Sequence, residues 1–140
     1  MIKKQKNYSA GIYLRFSDDD KINSESSSIS TQRKMLIQYC MENTIHIAGE
    51  YCDDGWTGSN FDRPGFQRML KDIYDGKINI VITKDLSRFG RNYIDTGKFI
   101  ENVFDDYNVR YIAVDDNIDT LNGGYDVIMP IKNVINEMLA

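Results

Sequence analysis

A chain of 140 residues, 41% hydrophobic and 27% charged, has the composition of one folded domain and not of a disordered segment. A net charge of -4 argues against a general nucleic-acid coat, and no apolar run approaches the ~20 residues a membrane-crossing helix needs. The basic start Met1-Ile2-Lys3-Lys4-Gln5-Lys6 leads into no long apolar stretch, so no secretory signal is expected, and Cys40 and Cys52 lack metal-ligand spacing and are expected as reduced thiols of a cytoplasmic protein.

Residues 10–17 read as a strand ending in polar residues, and the acidic, serine-rich residues 18–27 as an exposed loop. A helix is expected from Ser28 to Asn43, with Ile29, Leu36 and Cys40 on one face. Residues 45–52 look like a strand and Asp53 to Arg63 like a loop. Pro64 opens a strongly amphipathic helix carrying Phe66, Met69, Leu70, Ile73 and Tyr74, and Gly76 stops it. Ile78 to Thr83 has the look of a strand buried on both faces. Lys84 to Asn92 is a polar loop or first helical turn. Ile100, Val103, Phe104 and Tyr107 mark the next helix, Val109 to Val114 another strand, and Asp115 to Gly124 a polar loop. Val127, Ile131, Val134 and Met138 indicate a last helix with Pro130 near its start.

This alternation predicts an α/β domain with a mainly parallel central sheet flanked by helices. Functional groups of such folds gather at the carboxyl ends of the strands. The chain reads as one domain, 1–140, of a longer protein.

At those strand ends the sequence concentrates arginine. Alternation puts Tyr13, Arg15 and Ser17 on one side of the first strand. The third strand runs into Lys84-Asp85-Leu86-Ser87-Arg88-Phe89-Gly90-Arg91, where a helical turn would align Arg88 with Arg91. The loop after the second strand holds Thr57, Gly58 and Arg63. Arginine is permanently charged and matches phosphate with paired nitrogens, so several arginines around one serine suit a phosphodiester better than an acyl group. Attack by Ser17 on phosphorus would build charge that fixed guanidinium groups stabilise, giving a covalent phosphoserine. That exchange needs no hydride cofactor, nucleoside triphosphate or metal, and none is expected.

Other features carry blander readings. Arg33, Arg68 and Arg110 are expected as solvated charges, Asp18-Asp19-Asp20 as a solvated loop, and Trp56 as a packing anchor or loop cover. His46 has no motif around it and is expected to be structural, which leaves neither a Ser-His-Asp triad nor a histidine metal cluster.

Four segments in order resemble the catalytic domain of the serine recombinases, the resolvase and invertase family, and more narrowly its large members, the transposases and phage integrases. They are Tyr13-Leu14-Arg15-Phe16-Ser17; Ser28-Ile29-Ser30-Thr31-Gln32; Asp54-Gly55-Trp56-Thr57-Gly58 with Asp62-Arg63-Pro64-Gly65; and Lys84 to Arg91. The resemblance implies a resolvase-like fold and site-specific recombination of DNA. Ser17 would become joined to a 5′ phosphate, Arg15, Arg88 and Arg91 would bind the scissile phosphate, and Tyr13, Gln32, Thr57 and Arg63 would support the site. It also implies dimers, a synaptic tetramer, and separate C-terminal DNA-binding domains that supply most of the affinity. Many small resolvases have an aspartate directly before the first arginine of the last motif; here that position is Ser87. Asp85 lies nearby and, on a helix, is expected to point elsewhere.

Three other classes compete. A receiver-like signalling module would use the Thr83-Lys84 pair and magnesium, a phosphatase would turn over small phosphate esters through a serine, and a non-catalytic interaction domain would keep only the fold.

Overall fold

A computed structural model describes residues 2–17 and 28–122. The acidic loop 18–27 and the last helix expected after residue 126 lie outside the described residues. Strand β1 is Ser9–Phe16, followed by helix α1 (Ile29–Glu42), β2 (His46–Asp54), α2 (Pro64–Tyr74) and β3 (Ile80–Thr83). A single turn of helix, α3 (Leu86–Phe89), leads to α4 (Tyr93–Lys98), which widens into a π-helical segment at Phe99–Phe104. β4 (Arg110–Ala113), the two-residue β5 (Ile118–Asp119) and a 3-10 turn at Thr120–Asn122 complete the described chain.

The sheet order is β2-β1-β3-β4-β5. β1 pairs in parallel with both β2 and β3, β3 pairs in parallel with β4, and β5 is antiparallel to β4. The chain therefore leaves β1 toward one edge of the sheet and crosses back over it to reach β3. Such a reversal of strand order opens a crevice at the carboxyl ends of the strands.

Strand alternation sorts the core into two layers. Ala10, Ile12, Leu14, Ile80, Ile82 and Ile112 face Leu36 and Cys40 of α1. Tyr13, Tyr51, Val81, Tyr111 and Ala113 face Phe66, Met69, Leu70 and Ile73 of α2. Side chains of successive strand residues project to opposite faces, so a strand covered on both faces reads as a continuous apolar run. β3, buried at all four positions, does so.

Local chemistry sets the helix ends. Ser28 caps α1 by accepting from the Thr31 N–H at 3.2 Å. Pro64 takes the first position of α2. Beyond its end Gly76 adopts φ +74°, a backbone conformation that glycine enters without strain. The sequence places Tyr74 on the apolar face, but it is exposed and its ring lies tilted against that of Tyr107, with centroids 5.0 Å apart.

The loop expected over 115–124 contains β5. Arg110 is half-buried and not solvated: its guanidinium donates to both Asp119 oxygens, at 2.9 and 2.7 Å. That fork-to-fork pair anchors so short a strand. Arg33 does lie at the surface, in a paired contact with Glu50, and Arg68 lies 6.0 Å from the Tyr51 ring centre. His46 is exposed at the amino end of β2, opposite the end that carries Ser17. Both cysteines are free, and burial pushes the Cys40 thiol up to about 11.

Candidate active site

The carboxyl end of β1 brings Tyr13, Arg15 and Ser17 to the α2 side of the sheet. Arg15 is fully buried and Ser17 is 6% exposed. The Gln32 side chain, one turn into α1, pairs with the main chain of Arg15: its Nε2 donates to the Arg15 carbonyl at 3.0 Å and its Oε1 accepts from the Arg15 N–H at 3.3 Å. β3 pairs with β1 as far as Ile12. The amide of Gln32 thus stands in for a peptide group where that neighbouring strand has ended. It fixes the backbone two residues before Ser17.

The arginines arrive from three directions. Arg15 donates through Nε to the Arg88 carbonyl (3.2 Å), through Nη2 to the Ser87 carbonyl (2.6 Å) and through Nη1 to the Trp56 carbonyl (3.1 Å). Arg63, also fully buried, donates to the carbonyls of Asn60 (2.9 Å), Arg88 (3.2 Å) and Phe89 (2.6 Å) and to the Tyr13 hydroxyl (2.8 Å). Arg88 in turn donates to the Arg15 carbonyl at 3.2 Å. The last carbonyls of a helix lack intrahelical partners. In α3 those of Ser87, Arg88 and Phe89 are taken by two buried guanidinium groups. This is how one helical turn is held at a fixed place beside the end of β1.

Arg88 and Arg91 do not share a helical turn. α3 ends at Phe89, and Gly90 is extended (φ -179°). A Cβ at Gly90 would lie 2.8 Å from both Phe61 Cζ and Thr96 Oγ1, so close packing there favours glycine. Arg91 is instead located by its N–H, which donates to the Gly58 carbonyl at 2.8 Å. Gly58 itself lies against both arginine side chains: a Cβ would come within 2.8 Å of Arg15 Cζ and 3.0 Å of Arg91 Cγ. Thr57 is half-buried on the same loop, its hydroxyl 2.9 Å from that of Ser59.

Asp53 is a member of this cluster that the motifs do not single out. It is 2% exposed at the end of β2. It accepts from the Gly65 and Phe66 N–H groups (2.7 and 2.9 Å), capping α2, and from the Tyr13 hydroxyl at 2.6 Å. Burial first, with the Asp53 contact adding to it and Arg63 opposing, keeps the Tyr13 phenol protonated far above its ordinary range. The available signal was register: Asp53 shares a face with Tyr51 and lies beside Arg15 on the adjacent strand.

Among the described residues, the buried ionic groups at this end of the sheet are three guanidiniums (Arg15, Arg63, Arg88) and one carboxylate, Asp53. Buried positive charge thus outweighs buried negative charge at this end of the sheet. Thr83 and Lys84, the pair a receiver module would use, are engaged elsewhere. The Thr83 hydroxyl meets Tyr111 OH (2.7 Å) and the Asp85 carbonyl (2.8 Å), and Lys84 pairs with Asp115 at 2.6 Å.

A mainly parallel sheet with a serine and converging arginines at its carboxyl end defines an α/β domain. Residues 10–140 match the family described as Resolvase, N terminal domain, and the chain belongs to that family. The N-terminal catalytic domain of TP901-1 integrase is 27% identical, with a TM-score of 0.77 covering 93% of this chain and 95% of that one. A resolvase family site-specific recombinase from Streptococcus pneumoniae is 28% identical, with a TM-score of 0.74 over 95% of this chain and 91% of the other. A serine recombinase from Sulfolobus solfataricus, 17% identical over 95% of this chain and 83% of that one, shares the fold at a TM-score of 0.59. A shorter stretch of 66 residues, 47% of this chain, is 33% identical to the uncharacterized immunity region protein 3 of Bacillus phage phi105 and covers 79% of it. The fold is that of the resolvase-like catalytic domain.

Proposed function

We propose that this domain cuts and rejoins DNA at specific sites by transesterification through Ser17. The observation that carries the reading is the convergence of Arg15, Arg63 and Arg88, buried and locked in place, around the strand end that bears Ser17. Preorganised cations aimed at developing charge are commonly the largest catalytic contribution.

The Ser17 oxygen attacks the scissile phosphorus. A Ser17 Oγ–P bond forms as the P–O3′ bond breaks. The serine hydroxyl gives up its proton, and the leaving 3′ oxygen gains one. One phosphodiester replaces another, so the reverse attack by a 3′ hydroxyl rejoins the strand with no nucleotide or metal required. Arg15, Arg88 and Arg91 bear on the phosphate, while Tyr13, Gln32 and Arg63 hold their supports and Thr57 borders the cleft. With a net charge of -4 on the chain, affinity for the target depends on basic modules tethered to the domain. DNA, and further copies of the protein in a dimer and a synaptic tetramer, are the partners, in the cytoplasm.

The test uses the full-length protein, excess chelator, no added nucleotide, and a library of random-sequence DNA duplexes. Covalently attached DNA is recovered after denaturation. The expected product joins a 5′ phosphate to Ser17, and Ser17→Ala abolishes it. No adduct on any duplex, or an adduct that survives Ser17→Ala, overturns the reading.

A further inference from the structure

We propose that Asp85 is a positioning residue for Arg88, acting with Ser87 to fix the plane of that guanidinium. The inference rests on the reading of Arg88 as a phosphate-binding group.

Asp85 occupies the position before α3, in extended backbone (φ -147°, ψ 169°), where an aspartate ordinarily caps the helix. Its side chain makes no cap bond. Asp116, arriving from the turn after β4, performs that task instead: its Oδ2 accepts from the Leu86 N–H at 2.6 Å. Relieved of capping, the Asp85 carboxylate turns toward the next turn of chain. Its Oδ1 accepts a hydrogen bond from the Ser87 hydroxyl. Its Oδ2 lies 3.5 Å from Arg88 Nε, an ion-pair contact at i,i+3. It does not point elsewhere, as its expected place on a helix suggested, because α3 begins only after it.

Arg88 is thereby held at two edges. Asp85 faces Nε, and Nη1 donates to the Arg15 carbonyl at 3.2 Å. A charge contact at one edge and a hydrogen bond at another restrain a planar group more than either does alone. The side chains of Arg88 and Asp85 are 5% and 19% exposed, so water screens the pair weakly. Lys84 Nζ is more distant from Asp85, at 3.8 Å, and is engaged by Asp115 at 2.6 Å, which leaves Arg88 as the nearer cation. Ser87 steers the carboxylate, and Asp85 steers the guanidinium.

The geometry also supplies a discriminating variant. Because the Ser87 hydroxyl touches the Asp85 carboxylate, a carboxylate moved to position 87 reaches the same neighbourhood. Initial rates of covalent adduct formation are measured with the full-length protein on a duplex recovered from the library above, for the parent, Ser17→Ala, Asp85→Asn, and Asp85→Asn combined with Ser87→Asp. Melting temperatures are recorded for each. Asp85→Asn, which keeps shape and removes charge, is expected to slow the step about tenfold or more, the scale of loss that misplacement of a catalytic group produces. Adding Ser87→Asp is expected to recover most of that rate. Recovery by a relocated charge is not the behaviour of a purely structural contact. If Ser17→Ala is inactive while Asp85→Asn matches the parent, the role of Asp85 falls and the proposed function stands. If Asp85→Asn is slow and Ser87→Asp restores nothing, the role falls likewise. An adduct that persists in Ser17→Ala, or that never forms in the parent, overturns the function itself.

Discussion

Arg63 shows how a buried charge can be satisfied within the fold. Four of its contacts end on carbonyls and on the Tyr13 hydroxyl, and Tyr13 passes the connection to Asp53. Removing one partner of a buried ionic network leaves the others desolvated and unsatisfied. Arg63→Ala is therefore expected to destabilise the domain by about 3–5 kcal/mol. Arg63→Lys is expected to recover little of this, since a point charge cannot serve four separated acceptors. Tyr13→Phe, which deletes one hydroxyl, should cost about 1–3 kcal/mol. Urea denaturation of the three variants measures this; an Arg63→Ala protein as stable as the parent would show that the network is not structural. The sequence placed Arg63 among the groups lining the cleft. Residue type and spacing identify an arginine near a site but not whether its nitrogens meet carbonyls or solvent. Asp53 escaped notice for the opposite reason: beside Asp54 and a glycine-rich loop, an aspartate gives no composition signal, and only its pairing register with Arg15 reveals it.

Among the elements, α3 is the most dependent on others. One turn of helix is too short to be stable alone, because nucleation fixes several dihedrals for a single hydrogen bond. Its shape is imposed by Asp116 at the start and by Arg15 and Arg63 at the end. The sequence therefore left 84–92 between loop and helix. The alignment it expected for Arg88 and Arg91 required a longer helix than Gly90 permits. The longer elements were legible because their periodicity has a single cause, burial: α2 on one stripe, β3 on both faces. The loop at Gly58 offers a test at this scale. Gly58→Ala places a methyl group against Arg15 and Arg91, yet the position lies in no helix or strand. Because Arg15 also holds α3, the expected outcome is a lowered melting temperature together with strongly reduced adduct formation. A large drop in melting temperature with normal adduct formation would show that Gly58 serves the fold alone.

At the scale of the whole molecule, the sheet was readable except at its far edge. Strand and helix in alternation dictate parallel pairing, while β5 is two residues held by the Arg110–Asp119 pair and carries no periodic signal. The two core layers also enclose groups that must stay protonated. Burial raises Cys40 from 9.0 to about 11, and it raises Tyr13, Tyr51 and Tyr111 above their ordinary 10.0. The folded state keeps protons that the unfolded chain releases, so the associated stability is full below about pH 9 and is lost as the pH rises beyond it. Denaturant midpoints are expected to hold from pH 7 to about 8.5 and then fall, with Cys40→Val removing part of the early decline and Cys52, whose thiol is also raised by burial, retaining the rest. Midpoints that stay level to pH 11 would contradict this.

The carbonyls of Ser87, Arg88 and Phe89 are gripped from β1 and from the loop before α2, far away in sequence. A graft of residues 84–91 would keep its shape only in a scaffold that supplies these same contacts. Tyr13, Arg15, Asp53, Arg63, Asp116 and the α3 turn make up the smallest block that can be exchanged between such domains. Chimeras that split this block should lose the geometry of the turn even when every residue of the turn is kept.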